Sequence, residues 1–364
     1  MKITDYFSSI KDPRISRSKL HSLELIFGLT IVASLCGIKS WEQISAFGKE
    51  REQELSELFE FTNGVPSHDT LERVFSLINP IDFHACFMAW SKSLNKLPKS
   101  LISIDGKVAK SSYDSFKNTE PLYLVNAWAS ENKLVLAQIK TKGKGHEIAG
   151  VKEILTMMDI QGSIISADAL SCQKDIAEQI TLKNADYILA VKDNQECLKT
   201  SIISSFAVLT PSSQDENLEK NSGRVEIRKC AVINNLKMID NKGEDWSNVN
   251  SIIKIESSRT NTKSETTEVR YYISSLNKPA NEINKLIRSH WGIENSLHWV
   301  LDVNFGEDKS RKRKGYSSEN YALVNKIAIN ILNNEKETKL SMVMKKLKAM
   351  CNFTYLKKLI NFDA

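Results

Sequence analysis

Along the first hundred positions apolar residues recur at helical spacing. The run from Leu23 to Ile38 is apolar apart from Glu24 and a few small polar residues, which reads as a buried helix. Ser40 stands where an N-cap would open a second helix at Trp41. Pro66-Ser67-His68-Asp69-Thr70 precedes Leu71, Val74, Phe75 and Ile78, so a helix capped by Ser67 or Asp69 is predicted. Another, from about Ile81 to Leu94, sets Phe83, Phe87 and Trp90 on one side. The pattern predicts an all-helical N-terminal domain over residues 1–98, closing at Leu97-Pro98-Lys99.

Beyond that boundary the period shortens. Strands are predicted at Ser100–Ile104, Leu122–Ala129 and Leu134–Ile139, then a helix from about Gly145 to Met158. A short strand at Ser163–Ser166, a helix over Cys172–Leu182, a strand at Tyr187–Val191 and a helix after Asn194 follow. Hairpin-like strands leading into strand–helix–strand units describe an α/β domain, a mixed sheet flanked by helices, over residues 99–335. Residues 208–275 turn rich in Ser, Asn, Thr, Lys and Glu yet still alternate, with strands at Gly223–Ala231, Ser251–Ser258 and Glu268–Ser274. Trp246, Tyr271 and Tyr272 are available to bury, so a β-rich insertion fits better than a linker. Helical spacing resumes after Pro279 through Leu297 or beyond, and a Lys-rich helical tail occupies residues 336–364.

The 364 residues suffice for one large domain and a smaller one, since a single core seldom exceeds roughly 250–300 residues. Hydrophobic residues at 41% and charged residues at 26% exclude a disordered or fibrous chain. A net charge of +6 and a pI near 8.8 favour a polyanionic partner. The six cysteines form no CxxC pair, which argues against a zinc cluster or disulfide scaffold and suits a reducing compartment. No stretch reaches the ~20 apolar residues of a membrane span, and the start does not read as a signal peptide. A cytoplasmic, nucleoid-associated protein without membrane contact is expected.

Candidate chemistry sits at strand ends. Asp105 follows Leu101-Ile102-Ser103-Ile104 and precedes Gly106-Lys107; Asp168 follows Ser163-Ile164-Ile165-Ser166-Ala167. Two carboxylates at one sheet edge raise each other's pKa unless a cation lies between them, and hard oxygen donors suit Mg²⁺ or Mn²⁺. Glu294 lies in His290-Trp291-Gly292-Ile293-Glu294-Asn295-Ser296-Leu297-His298-Trp299, where helical geometry would set His290, Glu294 and His298 on one face. A zinc reading of the two histidines lacks a cysteine and the HExxH order. Lys309-Ser310-Arg311-Lys312-Arg313-Lys314 puts five cations in six residues, a phosphate-tracking candidate against the alternative of a solvated charge run. Lys107, Lys192 and Arg224 are further candidate phosphate contacts, with Lys140, Lys142 and Lys144 a weaker patch. Trp291 and Trp299 could stack on a base or pack the helix. No GxxxxGK[ST] motif occurs, so no nucleotide cofactor is expected.

These stretches resemble the H-repeat (ISAs1-like) insertion-sequence transposases, a branch of the DDE group with an RNase H-like catalytic fold. The resemblance runs through Asp12-Pro13-Arg14, the CGIKSWEQISAFG segment, VPSHDTL from Val65, IDGK from Ile104, SADALSCQKDIA from Ser166, YILAVKDNQ from Tyr187, YYISSL from Tyr271 and HWGIENSLHWVLDVNF from His290. It implies an acidic triad of Asp105, Asp168 and Glu294 holding two Mg²⁺ or Mn²⁺ ions, with His290, Asn295, His298, Trp291, His146 and Glu147 as supporting residues. It also implies a transposition-associated N-terminal domain and a β-rich insertion before the glutamate. Related enzymes often carry Tyr, Arg, Glu and Lys around the glutamate; here Ile287, His290, Glu294 and Leu301 stand at those offsets. Where family members tend to have a small residue, Asn and Glu, this chain has Gly145-His146-Glu147. The implied activity is cleavage of double-stranded DNA at element ends and strand transfer of the 3′-OH into target DNA by a homo-oligomer. A nuclease without strand transfer and a catalytically silent DNA-binding descendant are the competing readings.

Overall fold

The computed structural model describes residues 6–15, 19–94, 100–113, 120–143, 145–221, 224–234, 236, 246–260 and 265–360. In chain order, helices α1 (Leu23–Leu35), α2 (Trp41–Glu50), α3 (His68–Leu77) and α4 (Pro80–Leu94) precede strands β1 (Leu101–Ala109), β2 (Leu122–Ala129) and β3 (Leu134–Thr141). Next come α5 (Glu147–Met157), β4 (Ile164–Ala167), α6 (Lys174–Leu182), β5 (Asp186–Val191) and α7 (Glu196–Val208). Four long strands follow: β6 (Ser213–Asn221), β7 (Arg224–Ile233), β8 (Ser251–Thr260) and β9 (Glu265–Ser274). The chain ends with α8 (Ala280–His290), a π-helical turn at Ile293–His298, α9 (Trp299–Val303), α10 (Ser317–Asn334), α11 (Met342–Cys351) and α12 (Phe353–Ile360). Among the described residues no helix is long and apolar enough to cross a membrane.

The chain divides into two compact units. The first comprises residues 1–97, 106–146 and 294–364; the second comprises 98–105 and 147–293. In the first unit, Ser40 opens α2 through a full capping box with Gln43, and the Ser67 side chain accepts from the Thr70 N–H at the start of α3. Phe7, Phe27, Phe75 and Phe83 cluster at centroid spacings of 4.9–5.8 Å. At the centre lies α10, buried from Asn320 to Leu332 and packed on α1, α3, α4 and β3. It has no polar face, so periodicity could not reveal it.

Asn320, Lys326 and Asn330 of α10 are buried and meet the protein's own polar groups. Asn330 accepts from the Val135 N–H and donates to the Val135 carbonyl, both at 2.8 Å, substituting for a strand partner. Asn320 donates to the Phe75 and Ile78 carbonyls at the end of α3. The Val135 carbonyl also accepts the Ser91 hydroxyl at 2.6 Å, so Asn330→Leu should strand the Val135 N–H and cost about 1–3 kcal/mol, read as a lowered denaturant midpoint. A midpoint equal to that of the unmutated chain would refute the pairing.

The second unit is built on a mixed sheet of strand order β1-β4-β5-β9-β8-β7-β6. β1, β4 and β5 are parallel, and β9 returns antiparallel to β5. The Ser-, Lys- and Glu-rich stretch predicted as an insertion thus extends this sheet rather than forming a separate layer. β6 was not legible because its sequence, SQDENLEKN, has almost no apolar alternation. Nine register pairs with β7 hold it, as suits a charged edge strand. α8 covers the sheet face formed by Cys230, Val232, Ile253, Ile255 and Tyr272 with Ile283 and Ile287. Two helical expectations change: the helix after Pro279 stops at His290, and the basic tail is two helices separated by Asn352.

Candidate active site and family membership

In the second unit, the parallel pairing of β1 with β4 runs Leu101↔Ile164, Ile102↔Ile165, Ser103↔Ser166, Ile104↔Ala167. Asp105 follows Ile104 as the fifth of the nine residues of β1, rather than at the strand end expected, and Asp168 follows Ala167, the last residue of β4. Residues two apart on a strand share a face, so Asp105 falls on the face of β1 that carries Ser103, while Asp168 leaves the end of the neighbouring strand whose Ser166 pairs with Ser103. That face is marked by a bond from the Ser166 hydroxyl to Ser103 Oγ at 3.1 Å. Both aspartates are half-buried.

The loop behind Asp168 is tightly fixed. Asp168 Oδ1 accepts the Ser171 N–H at 3.1 Å and the Ser171 hydroxyl at 3.0 Å. Asn194 Nδ2 donates to the Ala169 carbonyl and Gln195 Nε2 to that of Cys172, which tie the loop to the turn after β5. These two residues of the KDNQ run went unassigned in the sequence, where nothing marks a side chain whose partner is a distant backbone. Lys192, just before them, is exposed.

His290 closes the same face from the end of α8, with Nδ1 at 2.9 Å from Ser166 Oγ. Because the Ser166 proton goes to Ser103, its oxygen accepts from His290 Nδ1–H, leaving Nε2 as the basic nitrogen. Burial pushes the His290 pKa down to about 4, against the opposing pull of Asp168, so the ring is neutral near pH 7. Trp291 is half-buried with the Arg270 guanidinium 4.2 Å over its ring. Glu147, half-buried, opens α5.

Glu294 belongs to the first unit and is exposed, as is Asn295, within the π-helical turn whose Ile293 and Leu297 are buried. The regular α-helix of α8 ends at His290, and the run from Ile293 to His298 is π-helical. His290 faces Ser166, whereas His298 is half-buried, its pKa pushed down to about 3 by burial and then by Lys107 and Lys326. Trp299 is exposed and His146 is exposed.

The first unit also holds a buried ion network that the sequence reading missed. Lys107 Nζ lies 2.5 Å from Asp302 Oδ1, 3.4 Å from Asp308 Oδ1 and 3.8 Å from Glu307 Oε2. Fully buried Lys326 reaches the other Glu307 oxygen at 3.3 Å. Burial would lower the Lys107 pKa, but Glu307, Asp302 and Asp308 outweigh it and raise it. A lysine inside the apolar ALVNKIAINIL run of α10 was the available signal.

The basic run does not act as one surface. Lys312 is buried: its ammonium donates to the Lys39 carbonyl and sits 3.7 Å from the Tyr321 ring centroid and 4.9 Å from that of Trp41. Arg313 is half-buried and donates to the Ser111 carbonyl. Lys107 and Lys312 are thus interior structural cations rather than phosphate-facing ones, because their nitrogens are already engaged by protein groups. Lys309, Arg311 and Lys314 remain exposed. Arg224 begins β7, its side chain outside the described residues, as is Lys144. Among the described residues no group of three or more His, Cys, Asp or Glu side chains is gathered to hold a metal ion.

Comparison with known proteins decides the family. Residues 96–331 match the transposase DDE domain, and residues 4–91 match the region associated with it. The chain belongs to the H-repeat, ISAs1-like family of DDE-domain transposases. It is 37% identical to YbfL of Escherichia coli K12 over 98% of this chain and 96% of that protein. The H repeat-associated YhhI of the same strain is 36% identical over 98% and 96%, and YncI of Escherichia coli O157:H7 is 35% identical over 98% and 94%. The match to the DDE domain spans the DGK and SADA strand ends as well as the HWGIEN run.

Proposed function

We propose that this transposase cuts DNA at the ends of a mobile element and joins the freed 3′-hydroxyls to target DNA, with Asp105 and Asp168 at the centre of the chemistry. What supports this reading is that Asp105, within β1, and Asp168, directly after β4, each follow the last register pair of these adjacent parallel strands, Ile104↔Ala167, in a DDE-family chain. Their hard oxygen donors fit Mg²⁺ or Mn²⁺. Such a pair of ions would polarise the scissile phosphate and lower the pKa of the attacking hydroxyl or water. Glu294 is assigned the third acidic position from its place in the HWGIEN run, a role resting on family resemblance alone.

The chain's own residues supply orientation. Ser171 fixes the Asp168 carboxylate, Asn194 and Gln195 hold the loop that carries it, and neutral His290 keeps Ser166 and Ser103 in place without adding a competing positive charge. Exposed Lys192, Lys309, Arg311 and Lys314 are suited to phosphate contact, which gives affinity without base discrimination. A homo-oligomer on paired DNA ends follows from the same reading.

The test uses the purified full chain, Mg²⁺, and a plasmid carrying the gene with its flanking DNA. Nicks that leave 3′-hydroxyls at the element's ends, followed by joined products, are expected. Nicks without any joined product would replace the proposal with a nuclease, and no cleavage with intact binding would point to a silent DNA-binding descendant.

A further inference from the structure

In the second unit the sheet face under α8 has two halves. Near the start of the helix it is apolar; past the helix it carries Glu226 and Arg228 on β7, Arg259 on β8, Glu268 and Arg270 on β9 and Glu219 on β6. The registers Glu219↔Glu226↔Arg259, Asn217↔Arg228↔Ser257↔Glu268 and Cys230↔Ile255↔Arg270 place these side chains on one face. Arg288, from the last turn of α8, reaches Glu219 at 2.7 Å and Glu226 at 3.8 Å. Arg270 binds Glu268 through two nitrogens at 2.7 and 2.8 Å, and Trp291 backs its guanidinium. Arg288 and Arg270 therefore each have a carboxylate.

Arg228 differs. It is 7% exposed, yet its buried Nε has no hydrogen-bond partner. Burial, then the nearby Arg288 and Arg270 charges, hold its pKa below the usual arginine value despite Tyr272 and Glu226. A buried, incompletely satisfied cation destabilises the free protein and persists where a ligand completes it. A guanidinium is suited to the oxygens of a phosphate, and beside Arg228 the Arg270 guanidinium is itself held over the Trp291 ring.

We propose that Arg228, flanked by Arg270 and Arg288, is a subsite for a DNA backbone phosphate on the sheet face beyond the end of α8. The subsite lies on the same helix end that presents His290 to Ser166. It deepens the functional reading above and rests on it, since the phosphate belongs to the DNA on which the chain acts. Arg228 is a substrate-binding residue here, with Arg270 and Arg288 adding positive charge beside it.

Binding of the full chain to short duplexes tiled across the gene's flanking DNA, measured without Mg²⁺ over a salt series, tests the subsite. Arg228→Met is expected to weaken binding about tenfold and to lower the slope of log K against log salt by about one. Its thermal midpoint without DNA should equal or exceed that of the unmutated chain, whereas a purely structural arginine would lose stability. Arg228→Lys, which retains charge but not the fork, should fold and bind with intermediate affinity. Unchanged affinity and slope in both variants would overturn the subsite while leaving the transposase reading intact. So would stabilisation of the unmutated chain, but not Arg228→Met, by inorganic phosphate alone with DNA affinity unaltered. Failure of the unmutated chain to bind any duplex would overturn both.

Discussion

Asp168→Asn is expected to abolish DNA cleavage and joining while leaving the fold and DNA affinity in place. The amide keeps an Oδ1 that can accept both Ser171 bonds, so the loop geometry survives. What disappears is the negative charge beside Asp105. Loss of a group that only orients a metal ligand costs about 10–100-fold, so loss of the ligand charge should exceed that, to at least on the order of a hundredfold. Asp105→Asn should behave alike. The decisive measurement pairs product formation across a Mg²⁺ titration with DNA binding in its absence. Cleavage within a few-fold of the unmutated rate in either variant would remove that aspartate from the chemistry.

The largest effect on stability is expected at Glu307→Gln. Glu307 bridges Lys107 and the fully buried Lys326 within the first unit. Removing its charge leaves Lys326 without its carboxylate partner, a change that typically costs about 3–5 kcal/mol. Replacing both, as Glu307→Gln with Lys326→Met, should recover much of that loss, because no uncompensated buried charge remains. Denaturant midpoints for the single and double variants form the check. A single variant as stable as the parent would mean that the bridge contributes nothing to folding.

Much of this architecture was readable in the chain. Strands whose apolar positions alternate, such as β2 and β8, and helices with a marked cap, such as α2 and α3, were predicted within a few residues, whereas β1 runs five residues beyond its expected end. α10 escaped because burial on all sides erases periodicity, and β6 because an edge strand can be held by backbone pairing alone. The parallel pairing that sets Asp105 and Asp168 on neighbouring strands required the fold, and Asp105, expected at a strand end, lies within the nine-residue β1. Lys312 misled because charge is visible in sequence whereas the rings of Trp41 and Tyr321 that receive it lie far away in the chain. Asn194 and Gln195 gave no sign, since their partners are main-chain carbonyls.

The π turn at Ile293–His298 bears on how this segment can vary. Such a turn is an α-helix that accommodates one surplus residue. Side-chain replacement at the exposed Asn295 leaves that accommodation alone, but deletion of a single position would let the coil tighten. One residue more or less shifts the phase of a helix by about 100°. Length, more than composition, is what heredity must preserve here.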